Sequence, residues 1–363
     1  MRQETNAGPA SRVVIKIGTS SLITDGKLDP AKVEALCETV SAGIRAGLAP
    51  VLVTSGAIAI GRTRYGALAA ATPAARQAAA ALGQGLLYST LRSRFAARSL
   101  DTGQILLTPF DLTEPDRGDG VRPAFDLMRT LGIVPIVNEN DALGVRNNDV
   151  LAAILSGYLG AELLLLLTNV SGLYARDPLL DGAAERIAEV NGEITEVERI
   201  AGDSSDGDGT GGMLMKLSAC WIATHAGIRT VIANAMDPSV LLAVYHGAEV
   251  GTVFQPRSLN GEPPDLGRLW RAFRTPPQGS VTCRPAGLLA VEHSQALRRI
   301  DVAAVRGSFA SGDVVDILGP DSRVVARGSI RCAAVDANGS WAPEAALFIG
   351  SDYVRIVEGE PCR

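Results

Sequence analysis

Four short apolar runs, each closed by a cluster of small or polar residues, restrict what this chain can fold into. Residues 13–17 (Val-Val-Ile-Lys-Ile) end in Gly18-Thr19-Ser20-Ser21, and residues 51–54 in Ser55-Gly56-Ala57. Residues 133–137 end in Asn138-Glu139-Asn140-Asp141, and the leucine run 163–167 in Thr168-Asn169. Runs this short, without alternation, read as buried strands, the leucine run as one buried on both faces. Pro135 weakens the centre of the third run but not its ends. Helical spacing lies between the runs. Residues 29–46 place Val33, Leu36, Cys37, Val40 and Ile44 on one face, with Asp29 as a cap and Pro30 in the first turn. Strand, small-residue turn and helix in repetition give an α/β domain with a mainly parallel sheet. In such sheets ligands collect beyond the carboxyl ends of the strands, where Gly18-Thr19 and Ser55-Gly56 fall.

The alanine-rich residues 67–97 read as helices broken near Pro73 and again at Gly83-Gln84-Gly85, with their arginines on a solvated face. Residues 104–108 and 228–233 are further strands, and residues 115–120 a polar turn. An apolar helix over residues 150–159 is capped by an Asn or Asp of Asn147-Asn148-Asp149. Residues 202–212 form a polar, glycine-rich loop that runs into a helix ending near His225. Past residue 258 the pattern decays around Pro263-Pro264, Trp270 and Pro276-Pro277, and short alternating strands follow. Among these, residues 313–318 and 323–328 form a hairpin around Gly319-Pro320-Asp321-Ser322.

Composition narrows the function. The 363 residues are 47% hydrophobic, enough for two domains, and a net charge of −5 gives no general pull towards nucleic acid or anionic membrane. Five cysteines and three histidines are scattered, without a CxxC pair, which argues against a zinc site or a disulfide framework. No residue is assigned as a metal ligand. The N-terminal residues 1–12 lack an apolar core, and the five-leucine run is far too short to span a bilayer. The expectation is a soluble, cytoplasmic protein.

Two lysines stand next to glycine turns. Lys16 lies inside an apolar strand, where an ammonium is expensive unless it meets an anion; the plainer reading is a lysine snorkelling from an edge strand. Gly18 lets backbone approach a bulky anion closely. The loop Gly207-Asp208-Gly209-Thr210-Gly211-Gly212, followed by Lys216, offers backbone N–H groups and a helix N-terminus to phosphate oxygens, although it lacks the spacing of a Walker A motif. Paired lysines suit transfer of a γ-phosphoryl group, whose barrier is mostly charge on phosphate oxygens. No nucleophile–base arrangement accompanies them. That fits an acceptor already ionised at neutral pH, such as a carboxylate, which needs only alignment and charge screening by lysines and Mg²⁺.

The segments 13–20, 53–59, 138–142, 165–174 and Gly-Thr-Gly-Gly-Met with Lys216 resemble, in order and along essentially the whole chain, the glutamate 5-kinase family of amino acid kinases. The resemblance implies a three-layer αβα sandwich with a mainly parallel central sheet, then a small C-terminal β-barrel PUA-like domain. Residues 1–260 would form the kinase domain, 261–279 a linker with its break at 275–279, and 280–363 the PUA-like domain. The implied reaction is phosphorylation of the L-glutamate γ-carboxylate by ATP with Mg²⁺, the first step of proline biosynthesis. Proline feedback inhibition and a homo-oligomer, dimer or tetramer, are implied with it. The family pattern puts Lys16, Gly18 and the segment Thr210, Gly211, Gly212, Met213, Leu214, Met215 and Lys216 on ATP phosphates, and Thr168 and Asn169 near the nucleotide. It makes Ser55, Asp141 and Asn148 contacts to glutamate, and Asp149 an organiser of the catalytic lysines, Lys16 and Lys216. Read without the family, Asp149 is a helix cap and Asp141 a turn residue.

The chain also departs from that pattern. The family's Gly-Asp-Asn-Asp is Arg146-Asn147-Asn148-Asp149 here, its Thr-Asp is Thr168-Asn169, and the segment from Asp141 to Asn148 is short. Two carboxylates thus become amides and a cation is added. This bears on metal placement, acceptor choice and proline sensitivity, and leaves a kinase of another small carboxylate as an alternative. A second alternative is a non-catalytic sensor or RNA-binding module using the C-terminal domain, since PUA folds elsewhere bind RNA. Residues 280–363 carry nine arginines against ten acids, which is no electrostatic footprint for nucleic acid.

Overall fold

The structure is a computed structural model. It describes residues 10–66, 72–114, 120–143, 147–176, 181, 183–190, 194–203, 210–257, 265–334 and 342–356. The expected turn at 115–120 lies almost wholly outside these residues, as do Arg146 and the glycine loop at 204–209. The chain divides into two compact units, Met1–Val190 with Ile228–Gln255, and Asn191–Gly227 with Pro256–Arg363.

The strands of the two large sheets, in chain order, are β1 (Arg12–Ile17), β2 (Ala49–Val53), β3 (Thr102–Leu107), β4 (Val134–Glu139), β5 (Leu163–Thr168), β6 (Glu189–Val190), β7 (Arg229–Asn234), β8 (Thr252–Phe254), β9 (Gly279–Cys283), β10 (Val302–Gly307), β11 (Val314–Leu318), β12 (Val324–Ser329) and β13 (Tyr353–Arg355). The helices are α1 (Pro30–Arg45), α2 (Ala57–Arg64), α3 (Pro73–Ala96), α4 (Pro109–Thr113), α5 (Val121–Leu131), α6 (Asn148–Leu159), α7 (Ile194–Asp203), α8 (Thr210–His225), α9 (Val240–Tyr245), α10 (Leu266–Phe273) and α11 (Pro285–Glu292).

The first unit is built on an eight-stranded sheet in the order β6-β8-β7-β5-β1-β2-β4-β3. Only β7 and β8 run antiparallel. The central strand β1 is paired on both sides, Lys16 with Val53 and with Leu166. Side chains alternate across a strand. Val13, Ile15 and Ile17 therefore share one face, packed with Val33, Leu36 and Val40 of α1, Leu87 and Leu91 of α3, and Leu241 of α9. Val14 and Lys16 face the other way, where α6 crosses β1 with Val150 to Leu155 fully buried. Two helical layers around one sheet make the expected αβα sandwich.

Local chemistry explains most boundaries. Asp29 caps α1, accepting from Ala31 N at 2.9 Å. Asn147, not Asp149, caps α6, its Oδ1 accepting from Asp149 N at 3.1 Å and Val150 N at 3.2 Å. Pro135 sits inside β4 without breaking it. Val134 N donates to Asp101 O on the β3 side, so the nitrogen of Pro135 faces β2, where pairing starts only at Ile136.

One expectation is corrected here. Helix α3 runs unbroken through Gly83 and Gly85. Gly83 serves contact rather than interruption: a Cβ there would overlap the Ala57 carbonyl oxygen of α2, and one on Gly61 of α2 would overlap the Ala79 carbonyl oxygen of α3. Gly85 faces open space.

The second unit holds α7, α8 and a five-stranded sheet in the order β10-β9-β11-β12-β13. A two-stranded ladder, Leu297–Arg298 with Ala346–Phe348, contributes Leu297, Leu347 and Phe348 to the core that Val281, Val315, Ile317 and Ala326 of the sheet also line. This is the small β fold that the resemblance implies. The β11–β12 hairpin forms as its turn residues predict, with Ser322 at φ +68°. The stretch read as a linker carries α10, capped by Asp265 and burying Leu269, Ala272 and Phe273. Three of its arginines bind backbone carbonyls of this unit: Arg268 that of Tyr353, Arg271 that of Ser351 at 3.3 Å, and Arg274 that of Gly312.

Candidate active site at the carboxyl ends of the parallel strands

In the first unit the carboxyl ends of β7, β5, β1, β2 and β4 lie side by side. They bring Asn234, Thr168-Asn169, Gly18-Thr19, Ser55-Gly56 and Asn138 to Asp141 to one edge of the sheet. Residues more than 200 positions apart in sequence thus share one rim, as a parallel sheet requires.

Lys16 occupies the middle of that rim. It is 4% exposed, and its Nζ lies 2.7 Å from Oδ1 of Asp149, itself buried in the first turn of α6. The snorkelling alternative is overturned, because β1 is central and its lysine points into the α6 layer. The anion that a buried ammonium demands is supplied first by Asp149. Asp149 thus pairs with Lys16, while the cap of α6 is Asn147. Gly18 stands two residues further on; a Cβ on it would meet nothing nearer than Lys16 Nζ, at 3.7 Å. Backbone there stays open to a bulky anion beside the ammonium.

On the β2–β4 side, Ser55 is nearly buried and precedes Gly56, which adopts φ +108° at the N-terminus of α2. A Cβ at Gly56 would strike Ile23 Cδ1 at 2.6 Å, so both space and conformation call for glycine. Asp141 opens a short 3₁₀ turn, Asp141–Leu143, and is partly exposed. Asn148 accepts from the Glu139 backbone N–H at 2.9 Å, tying the start of α6 to the end of β4. The buried carboxylate of Glu139 accepts in turn from the Asn147 backbone N–H. Asn138 donates to Gln84 of α3 at 2.6 Å. Sequence reasoning assigned no role to Glu139, Asn138 or Gln84. The polar cluster closing the β4 run was the one available signal.

On the β5–β7 side, Thr168 Oγ1 accepts from Val170 N at 3.2 Å, and Asn169 Oδ1 accepts from the Ser21 hydroxyl at 2.7 Å, joining the loops after β5 and β1. Beyond β5 and β7 a cleft of about 350 Å³ is lined by Ser171, Asn234, Met236, Asp237, Val240 and Val250. The two amides that replace family carboxylates, Asn147 and Asn169, both use their carbonyl oxygen as an acceptor. A carboxylate oxygen fills that role equally well, so the loop geometry does not need the charge.

Thr210 to Lys216 belong to the second unit. Thr210, Gly211 and Gly212, read as loop, form the first turn of α8. Gly212 is exposed and open, Met213, Leu214 and Met215 are partly exposed, and Lys216 Nζ donates to Gly212 O at 3.3 Å. The unsatisfied N–H groups of such a first turn are intrinsic anion donors.

A model of the amino acid kinase family matches residues 11–234. The chain is 36% identical over 327 residues to glutamate 5-kinase of Trichlorobacter lovleyi, covering 87% of this chain and 86% of that protein. It is 37% identical over 361 residues to glutamate 5-kinase of Frankia casuarinae, covering 96% and 95%. Among solved structures, it resembles UMP kinase from Bacillus anthracis with a TM-score of 0.50 at 14% identity, over 69% of this chain and 98% of that one. It also resembles carbamate kinase from Giardia lamblia bound to AMP-PNP, with a TM-score of 0.51 at 14% identity, over 68% and 99%. At such identity these two bear on the fold alone. Sheet order, buried lysine and relatives thus agree: the chain belongs to the amino acid kinase family, on its glutamate 5-kinase branch.

Proposed function

We propose that this chain transfers the γ-phosphoryl group of ATP to the γ-carboxylate of L-glutamate, giving γ-glutamyl 5-phosphate for proline biosynthesis. The observation that carries the reading is the buried Lys16–Asp149 pair at the centre of the rim, in a chain so similar to glutamate 5-kinases. The order of the strand ends supports a division of labour. Thr168, Asn169 and the adjoining cleft lie on one side of Lys16 and take the nucleotide. Ser55, Asp141 and Asn148 lie on the other and take the amino acid, Asp141 meeting its ammonium group and Ser55 with neighbouring N–H groups a carboxylate.

In the reaction an acceptor carboxylate oxygen bonds to the γ-phosphorus while the bond from that phosphorus to the β–γ bridging oxygen breaks, and ADP departs. The acceptor is already ionised, so no proton has to be removed. What the chain contributes is alignment and cationic screening: Lys16, oriented by Asp149, and Lys216 with the first turn of α8 stabilise charge on the phosphate oxygens. The rim offers hydroxyls, amides and few carboxylates, a donor set that suits Mg²⁺ carried in on the triphosphate rather than caged by protein. When bound, the metal supplies further neutralisation of phosphate charge. L-Proline as feedback inhibitor, a homo-oligomeric assembly and a cytoplasmic location complete the proposal.

The test is formation of γ-glutamyl hydroxamate from ATP, Mg²⁺, glutamate and hydroxylamine, with aspartate and N-acetylglutamate in parallel and with or without proline. Hydroxamate from glutamate above the other acceptors is expected. Its absence while ATP still binds would falsify the assignment, and preference for another acceptor would shift it to a sister kinase.

A further inference from the structure

Arg327 is 0% exposed within the C-terminal sheet, on β12 between β11 and β13. Its guanidinium binds two carboxylates at once. Nε donates to Asp316 Oδ1 on the neighbouring β11 at 2.7 Å, while Nη1 and Nη2 donate to Glu198 Oε1 and Oε2 on α7 at 2.7 and 2.9 Å. Glu198 Oε1 also accepts from Trp221 Nε1 on α8 at 3.1 Å. Phe273 of α10 lies under the guanidinium, 5.7 Å away, and stacks on His225 at the end of α8. One buried arginine therefore ties the β sheet to both α7 and α8.

Those helices flank the glycine loop, and α8 carries Lys216 five residues before Trp221. A fork-shaped guanidinium fixes orientation as well as distance, which a point charge does not. The guanidinium's ion pairs go to Asp316 and Glu198, neither of which is assigned to substrate. We propose that Arg327, through Glu198, is a positioning residue for the phosphate-binding segment Thr210 to Lys216, so that the C-terminal β fold sets nucleotide affinity without contacting nucleotide. This rests on the assignment of Lys216 to ATP phosphates made above.

The test uses the full-length chain and a double-mutant cycle on binding of ATP, followed by calorimetry, and on the KM values of the hydroxamate reaction. Glu198→Gln keeps size and Trp221 contact but removes the bidentate ion pair. It is expected to weaken ATP binding about tenfold, with the glutamate KM within twofold of wild type and a cooperative thermal transition retained. In the Lys216→Ala background the same change should cost less than it does in the wild type, because part of its effect passes through Lys216 and the rest through the first-turn N–H groups. Arg327→Lys, which keeps the charge and loses the fork, serves if Glu198→Gln does not fold, with the same expectation. Unchanged ATP affinity in a folded variant, or additive losses in the double variant, overturns the proposal. If Lys216→Ala itself leaves ATP binding and turnover intact, the assignment of Lys216 fails first and takes this proposal with it.

Discussion

Lys16 was visible in the sequence as a charge in the wrong place, and its answer, Asp149, lies 133 positions away and was reached only through the family pattern. Replacing Lys16 or Lys216 by alanine should lower turnover about a hundredfold or more, with little change in the glutamate KM, since transition-state charge is lost and acceptor binding is not. Steady-state rates with hydroxylamine trapping decide this; wild-type turnover in either variant removes that residue from the mechanism. His225 makes a separate prediction. Burial, with the charge of Arg257 second, pushes its imidazole down to about 3. The unfolded chain takes up a proton near pH 6.5 and the folded chain does not. Its contribution is therefore complete above about pH 6.5 and is lost as pH falls towards 3. Between pH 6.5 and 5 the wild type should lose about 2 kcal/mol more than His225→Asn, at about 1.4 kcal/mol per unit. Asp316, raised by burial, acts with the opposite sign but is common to both proteins and cancels. Urea midpoints at the two pH values measure the difference, and parallel shifts would exclude a buried neutral imidazole.

At the scale of elements, the strand runs were legible because they are apolar, short and punctuated, and helix α1 because its cap and spacing agree. Helix α3 was misread for a physical reason: a glycine that breaks a helix and a glycine that lets two helices touch look alike in sequence. Their mutants should not. Gly83→Ala drives a methyl into the Ala57 carbonyl and should destabilise by ~1–3 kcal/mol. Gly85→Ala, two residues on and facing open space, should stabilise by ~0.5–1 kcal/mol through lower unfolded-state entropy and better helix propensity. Chemical denaturation of the pair gives the answer, and effects of the same sign would deny the close α2–α3 approach. The cap of α6 teaches the same lesson. Three adjacent polar residues were all candidates, and only backbone direction chose Asn147, freeing Asp149 for Lys16.

At the scale of the whole molecule, the division into units runs through the kinase-family segment and groups α7, α8 and α10 with the C-terminal strands. A chain ending at residue 275 should lose the frame around Trp221, its emission moving to the red and the protein binding ANS. A blue-emitting, dye-negative fragment would show that these helices hold without the sheet. Among the described residues no helix is long and apolar enough to cross a membrane. The sequence alone determined the alternation of elements, the parallel sheet and the edge where chemistry collects. Local hydrophobic runs and turn residues encode these within a few tens of positions. The partner of Lys16, the use of Gly83 and the burial of Arg327 between Asp316 and Glu198 were decided by tertiary structure. Each depends on which distant surface arrives at a residue, and no local pattern carries that information.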